Sequence, residues 1–354
     1  MKVIPPLTIT DTILTSTSAP ETPPAAYAGG TTYALNDQVS VGAVGGAFAV
    51  YKSLQAGNTG HAPASSPTWW HALGNTYAAY DGATTYALGD IVILVSANSH
   101  HIYQSLQAAN TGHAPATEAT WWLDLGPTNR WAMFDILRNT QTDAPSPLTV
   151  VITPGVRINS IALLGLEADS VTVSITSGGS TVYTHTQDLR SREVLDWYDY
   201  FFEPFSLMES VALLDLPPYT DAIITVEFTS ASSNVKCGSL VLGSYVYIGN
   251  IQYNAESDAL NFSTVERNTF GDSLLIPRRS VPKTNQTLVC KKDRVNKVRD
   301  LREALNAAPA VWVGLDDSTD GYSDALLILG YYRRFTINVA HPDDALITLE
   351  LEEI

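Results

Sequence analysis

One stretch of this chain is written twice. Residues 27–37 read YAGGTTYALND and residues 80–90 read YDGATTYALGD. Residues 53–64 read SLQAGNTGHAPA and residues 105–116 read SLQAANTGHAPA. Each copy closes on a tryptophan pair, Trp69-Trp70 and Trp121-Trp122, and the offset falls from 53 residues at Tyr33/Tyr86 to 52 at Trp69/Trp121. Self-similarity at this period predicts one small structural unit used twice. The units occupy 26–75 and 79–126. About 50 residues is small for an independent core, so the tyrosines and tryptophans must supply much of it. Short β-type runs (Gln38–Val41, Phe48–Tyr51, Ile91–Val95, His101–Tyr103) alternate with Gly, Asn, Asp and Pro turns.

The rest of the chain divides around the repeats. Residues 1–25 form an apolar, threonine-rich arm followed by the proline-rich linker SAPETPPAA. The arm is expected either as an edge strand against another chain or as a disordered tail. Residues 127–250 alternate apolar and polar with frequent turn signals, which predicts a β-sandwich; SGGS at 177–180 is read as a hairpin turn. Residues 251–354 mix types. Val295, Val298, Leu301 and Leu305 recur at helical spacing within 291–309, before Pro309, and ALITLELEEI alternates strictly as a strand. The fold class is therefore mainly β and multidomain: two small β modules, a sandwich, and a mixed C-terminal domain with one amphipathic helix.

At 354 residues the chain is long enough for two to three domains. Twenty basic against 36 acidic side chains give a net charge of −16, which argues against nucleic acid or an anionic membrane as the main partner. Residues 1–126 hold only Lys2, Lys52 and seven carboxylates, whereas 278–302 hold nine basic side chains against two acidic ones. Within that basic stretch Lys292, Arg299 and Arg302 lie on the exposed face of the expected helix, either simply solvated or facing another copy of the chain. Cys237 and Cys290 are too few for a disulfide framework and are read as buried thiols, with a single bridge left open. No signal peptide and no apolar run long enough to span a membrane is expected from the sequence.

Chemistry-bearing clusters are sparse. Asp196, Asp199 and Glu203 in LDWYDYFFEPF could suit a glycosidase acid/base pair, but solvated or capping carboxylates are the default reading. Asp316, Asp317, Asp320 and Asp324 lack the spacing of a calcium loop and read as an Asx-rich turn, with an ion site as the alternative. No nucleophile elbow, HExxH zinc motif, phosphate loop or dinucleotide fingerprint occurs. The sequence therefore proposes no catalytic residue, cofactor or metal. His61 and His113, beside Asn58 and Asn110 in the NTGHAP turns, either hold their own loops or contact a ligand; His100-His101 is read as an exposed hairpin.

The repeats resemble the small chitin-binding modules at the ends of bacterial chitinases. The matching residues are Tyr80, Tyr86, Gly89, Asp90, Val92, Tyr103, Pro115 and Trp121 or Trp122. In the first copy they are Tyr27, Tyr33, Asp37, Val39, Tyr51, Pro63 and Trp69 or Trp70. The first copy departs at Asn36, where the pattern has Gly; Asn tolerates a left-handed turn next best. The resemblance covers about 100 residues and implies carbohydrate binding through Tyr27, Tyr33, Trp69, Trp70, Tyr80, Tyr86, Trp121 and Trp122. A rigid ring stacks on the apolar face of a pyranose at little entropic cost. Adjacent tryptophans on a strand point to opposite faces, so one of each pair is expected outside.

NRWAMFD at 129–135 resembles the opening of β-sandwich modules in tail proteins of tailed bacteriophages, and the chain as a whole is similar to tail-tip or tail-fibre-associated proteins of Pseudomonas-type siphophages. That resemblance implies a virion protein, made in the host cytoplasm and assembled with other tail or baseplate proteins. It would present its modules to host polysaccharide or lipopolysaccharide, as a homo-oligomer that is often a trimer. A purely structural spacer and a polysaccharide-degrading enzyme with accessory modules are the competing expectations.

Overall fold

The computed structural model describes residues 1–137, 139–192, 196–231, 234–267, 269–315, 323–339 and 341–354. The architecture is mainly β and built from several sheets, as expected. The sandwich has a five-stranded sheet in the order Ser180–Asp188, Ser170–Ser177, Ile223–Thr229, Leu148–Ile152 and Leu14–Thr17. Its four-stranded partner runs Ser210–Leu213, Ser160–Glu167, Asn234–Gly243, Thr142–Pro145. Val171, Val173, Val226 and Phe228 of the first sheet meet Ile161, Leu163, Leu240 and Leu242 of the second in one apolar core. The SGGS hairpin forms where the sequence places it, with Ser177 opposite Ser180.

The four-stranded sheet is buried on both faces. Along SIALLGL, Ile161 and Leu163 face the sandwich core, while Ala162 and Leu164 pack with Ile4, Val311, Val313 and Leu329 of the C-terminal sheet. A strand covered on both faces reads as a continuous apolar run rather than an alternation. Residues 127–250 and the C-terminal sheet are thus joined as three layers, not as two bodies on a linker.

The C-terminal sheet is antiparallel. Its order is Val246–Tyr247, Lys2–Ile4, Ala310–Val313, Leu327–Asn338, Asp344–Glu353, Ser280–Lys291, Asn250–Ile251, with Glu256–Asn261 also paired to Ser280–Lys291. Two helices occur among the described residues, α1 (Trp197–Phe202) and α2 (Val295–Ala304), besides short 3-10 turns. The second is shorter than the expected 291–309: Lys291 ends a strand and Lys292–Arg294 form a 3-10 turn. Its apolar stripe behaves as read, Val298 and Leu301 packing with Leu305, Trp312 and Phe335. Cys237 and Cys290 are free and buried, and burial pushes the Cys237 thiol up to about 12.

The arm corrects the sequence reading. It forms strands, but with its own chain rather than another. Lys2–Ile4 inserts between Val246–Tyr247 and Ala310–Val313, and Leu14–Thr17 edges the sandwich on Leu148–Ile152. Val3 and Ile4 are fully buried, so leaving the arm in solvent would forfeit their transfer free energy. No helix among the described residues is long and apolar enough to cross a membrane.

Candidate carbohydrate-facing surface of the repeats

Each repeat folds as a three-stranded antiparallel sheet. The first comprises Gln38–Val41, Phe48–Ser53 and Trp70–Thr76; the second comprises Ile91–Leu94, His101–Ser105 and Trp122–Pro127. The third strand begins at the second tryptophan of each pair, and that position is decisive. Trp70 and Trp122 are almost wholly buried, and their indole N–H groups donate to the carbonyls of His61 and His113, both at 2.8 Å. Trp70 sits edge-on against Tyr27 and Tyr33, whose rings stack at 5.8 Å, and Trp122 repeats this with Tyr80 and Tyr86, stacked at 5.9 Å.

The turns of the motif hold this aromatic core. The Tyr33 and Tyr86 hydroxyls accept from the N–H groups of Ala28 and Asp81 at 2.8 and 2.9 Å. The Asp37 and Asp90 carboxylates accept from Ala34 N and Ala87 N, closing the ALND and ALGD turns. Asn36 takes φ 72° where Gly89 takes φ 92°, so the departure from glycine is accommodated in the left-handed region.

The eight expected binding aromatics therefore divide into two classes. Tyr33, Tyr86, Trp70 and Trp122 are buried in the module cores and cannot stack on a ligand. Tyr27, Tyr80, Trp69 and Trp121 are half-buried. The expectation that one tryptophan of each pair faces out is met, by the first member. The tyrosine partners Tyr33 and Tyr86 drop out because a module this small needs them for its core.

The half-buried tryptophans carry a feature no pattern indicates. His61 stacks on Trp69 with centroids 3.9 Å apart and planes 12° from parallel; His113 stacks on Trp121 at 3.7 Å and 11°. Both histidines hold their own loops, but by different means. His61 Nδ1 lies 3.1 Å from Asn58 Oδ1. His113 Nδ1 lies 2.5 Å from Glu118 Oε2, whose other oxygen accepts from Ala114 N at 3.0 Å. Those bonds, that to His113 first, hold the Glu118 carboxyl below its ordinary value. Asn110 Oδ1 is left without a hydrogen-bond partner in consequence. The equivalent of Glu118 in the first copy is Ser66, a sequence sign that the two stacks are held differently.

The two modules touch. Ile91 N donates to Gly45 O at 2.9 Å, and a Cβ on Gly45 would lie 2.7 Å from the Asp90 carboxyl carbon. A glycine at this point lets the loop of one module lie on the turn of the next.

The other expected clusters resolve as structure. Asp196 is the N-cap of α1, accepting from Tyr198 N and Asp199 N at 2.7 and 3.0 Å, while Glu203 is its C-cap. Asp316, Asp317 and Asp320 lie outside the described residues; Asp324 accepts from Ser210 Oγ at 3.3 Å. Among the described residues no three His, Cys, Asp or Glu side chains are grouped to hold a metal ion. His100 corrects the exposed-hairpin reading: it is buried, with Nδ1 2.9 Å from Glu21 Oε2, at ion-pair distance but without hydrogen-bond geometry. Comparison with protein-family models, with curated proteins and with solved structures found no match to this chain.

Proposed function

We propose that this chain is a non-enzymatic tail component of a tailed bacteriophage that adsorbs reversibly to host surface polysaccharide through its two modules. One observation carries the binding reading: the same half-exposed histidine–tryptophan stack recurs at the same place in both copies. A flat ring surface of this kind suits the apolar face of a pyranose, and the stacked imidazole fixes the indole so that little entropy is lost on binding. Two such surfaces on adjoining modules would engage a repeating polymer together, raising avidity by roughly 10²–10⁴ over one site. The use of the Asp196 carboxylate to cap α1 supports binding over bond cleavage.

The test is a glycan array with Trp69→Ala, Trp121→Ala and the double variant. Each single variant is expected to weaken retention and the double variant to abolish it. Undiminished binding by the double variant would sink the stacking proposal, and release of oligosaccharide from capsule or lipopolysaccharide would overturn the non-enzymatic reading. The spacer reading has its own support in the contacts that fix the modules to each other and to the body, at Gly45–Ile91 and at Glu21. An array with no bound glycan and a modules-dependent association with tail proteins would favour it.

A further inference from the structure

One buried ring in this chain meets acceptors at both of its nitrogens. His100 ends the loop between the Ile91–Leu94 and His101–Ser105 strands of the second module and is almost wholly buried. Its Nε2 lies 3.0 Å from Ser96 O and 3.7 Å from Asp11 Oδ1, and its Nδ1 lies 2.9 Å from Glu21 Oε2. A backbone carbonyl and an ionised carboxylate only accept. A neutral imidazole has one N–H, so in either tautomer it would turn a nitrogen lone pair on an oxygen. A ring protonated at both nitrogens suits the site. The neighbouring His101 shows the contrast. Its Nδ1 faces Asp124, but its Nε2 meets Ser99 Oγ at 3.1 Å, and a hydroxyl can donate to a neutral ring. The extra proton at His100 belongs to the His100–Glu21 pair. Glu21 already accepts from Thr128 Oγ1 and faces Arg130, so the proton sits on the ring. The charged groups around the ring are thus Asp11 from the arm, Glu21 from the linker and Arg130 from the start of the sandwich; Trp131, which packs on the ring, carries no charge.

We propose that His100 is a proton-operated latch: its charged ring fastens the second module to the body, and loss of the proton loosens that attachment. The loop that carries His100 is placed for this. It accepts from the arm, Asp11 N to Ala97 O at 3.1 Å, and Thr128 N donates to His100 O at 2.9 Å where the module meets the sandwich. Losing the proton leaves the Glu21 carboxylate against a nitrogen lone pair in a buried site, where unmatched polar groups are costly. Closing the junction therefore takes up the proton that opening releases. The sign follows: the attachment weakens as pH rises, by up to about tenfold per pH unit for one proton. Histidine changes charge between about pH 5 and 8, which sets the working range. The inference concerns how the second module is held, not its sugar-facing ring, and it stands or falls separately from the glycan reading.

The test follows the full chain by NMR. The ring nitrogens of His100, assigned by their loss in His100→Gln, are expected to be both protonated at about pH 6. The Thr128 amide, bonded to His100 O, reports the junction through its exchange protection, and the Val226 amide of the sandwich core is the reference. Between about pH 6 and 8 the protection of Thr128 relative to Val226 is expected to fall at least about fivefold. Glu21→Gln keeps an acceptor for Thr128 Oγ1 and offers a neutral His100 ring a donor, so its Thr128 is expected to be protected equally at both pH values. His100→Gln is expected to lose the pH response as well. A His100 ring with a single proton at about pH 6, wild-type protection that does not change with pH, or a fall that persists in both variants would each overturn the proposal.

Discussion

At the scale of the residue, the tryptophan pairs separate stability from binding within a single dipeptide. Trp70 is buried against Tyr27 and Tyr33 with its N–H satisfied; Trp69 is half-buried against His61. Trp70→Ala is expected to cost about 3–5 kcal/mol, enough to unfold so small a module. Trp69→Ala is expected to leave the module folded and to act on ligand retention alone. Amide exchange of residues 38–76 separates the two outcomes, and equal loss of protection in both variants would contradict the assignment. Glu118 gives the second copy a pH dependence that the first, with Ser66, lacks. Its folded-state pKa lies below the ordinary value, so its contribution is fully present above the ordinary carboxylate range and is lost as pH falls through the lowered value. Acidification into that window is expected to loosen the His113–Trp121 stack before the His61–Trp69 stack, and Glu118→Gln to remove the difference. The ring resonances of the two histidines report it, and identical titration of both stacks would refute it.

At the scale of the element, what the sequence made legible were features set by local rules. The module strands, the Ser177–Ser180 hairpin and the Val298/Leu301 stripe all follow from period and turn chemistry. The outward member of the tryptophan pair was not legible, because it depends on where the third strand starts, and that is fixed by the Trp70 N–H finding His61 O nine residues back. Helix α1 was hidden as well: its aromatics show no buried stripe, so only the Asp196 cap marks it. The arm was ambiguous for a different reason. KVI is apolar enough for a strand, but its neighbours lie more than 240 residues away, and no local signal names them. Its docking makes a sharp expectation: Ile4→Ala, which empties a fully buried site between the sandwich and the C-terminal sheet, should cost about 2–5 kcal/mol. Urea unfolding measures it, and a loss below about 0.5 kcal/mol, the scale of a surface substitution, would show the arm undocked.

At the scale of the whole molecule, four segments converge on one buried residue. Glu21, from the linker, lies at ion-pair distance from His100 of the second module and accepts from Thr128 Oγ1 at 2.7 Å; Arg130 lies 3.6 Å away at the start of the sandwich. The backbone carbonyl of Glu21 takes the hydroxyl of Thr76, at the end of the first module. His100 also packs on Trp131, which belongs to the sandwich core, and its Nε2 lies 3.0 Å from Ser96 O. The linker that reads as a flexible proline-rich spacer is therefore the point where both modules are fixed to the body. His100→Ala removes a buried ring that packs on Trp131 and lies against Glu21, and truncating a large buried side chain costs about 2–5 kcal/mol. Arg130 and Thr128 would still reach Glu21 in a His100→Ala protein, which places the expected loss toward the low end. The loss should fall unevenly. The sandwich and C-terminal sheet share a core of their own through Leu164 and Ile4, whereas each module's core is a few aromatic rings around one valine, with little else buried beside it: Val50 and Leu73 in the first copy, Ile93 in the second. Calorimetry of His100→Ala is thus expected to show the modules melting ahead of a body transition that hardly moves. A single transition displaced as a whole would mean that modules and body unfold as one unit, and no displacement would mean that the His100–Glu21 contact does not hold the second module in place.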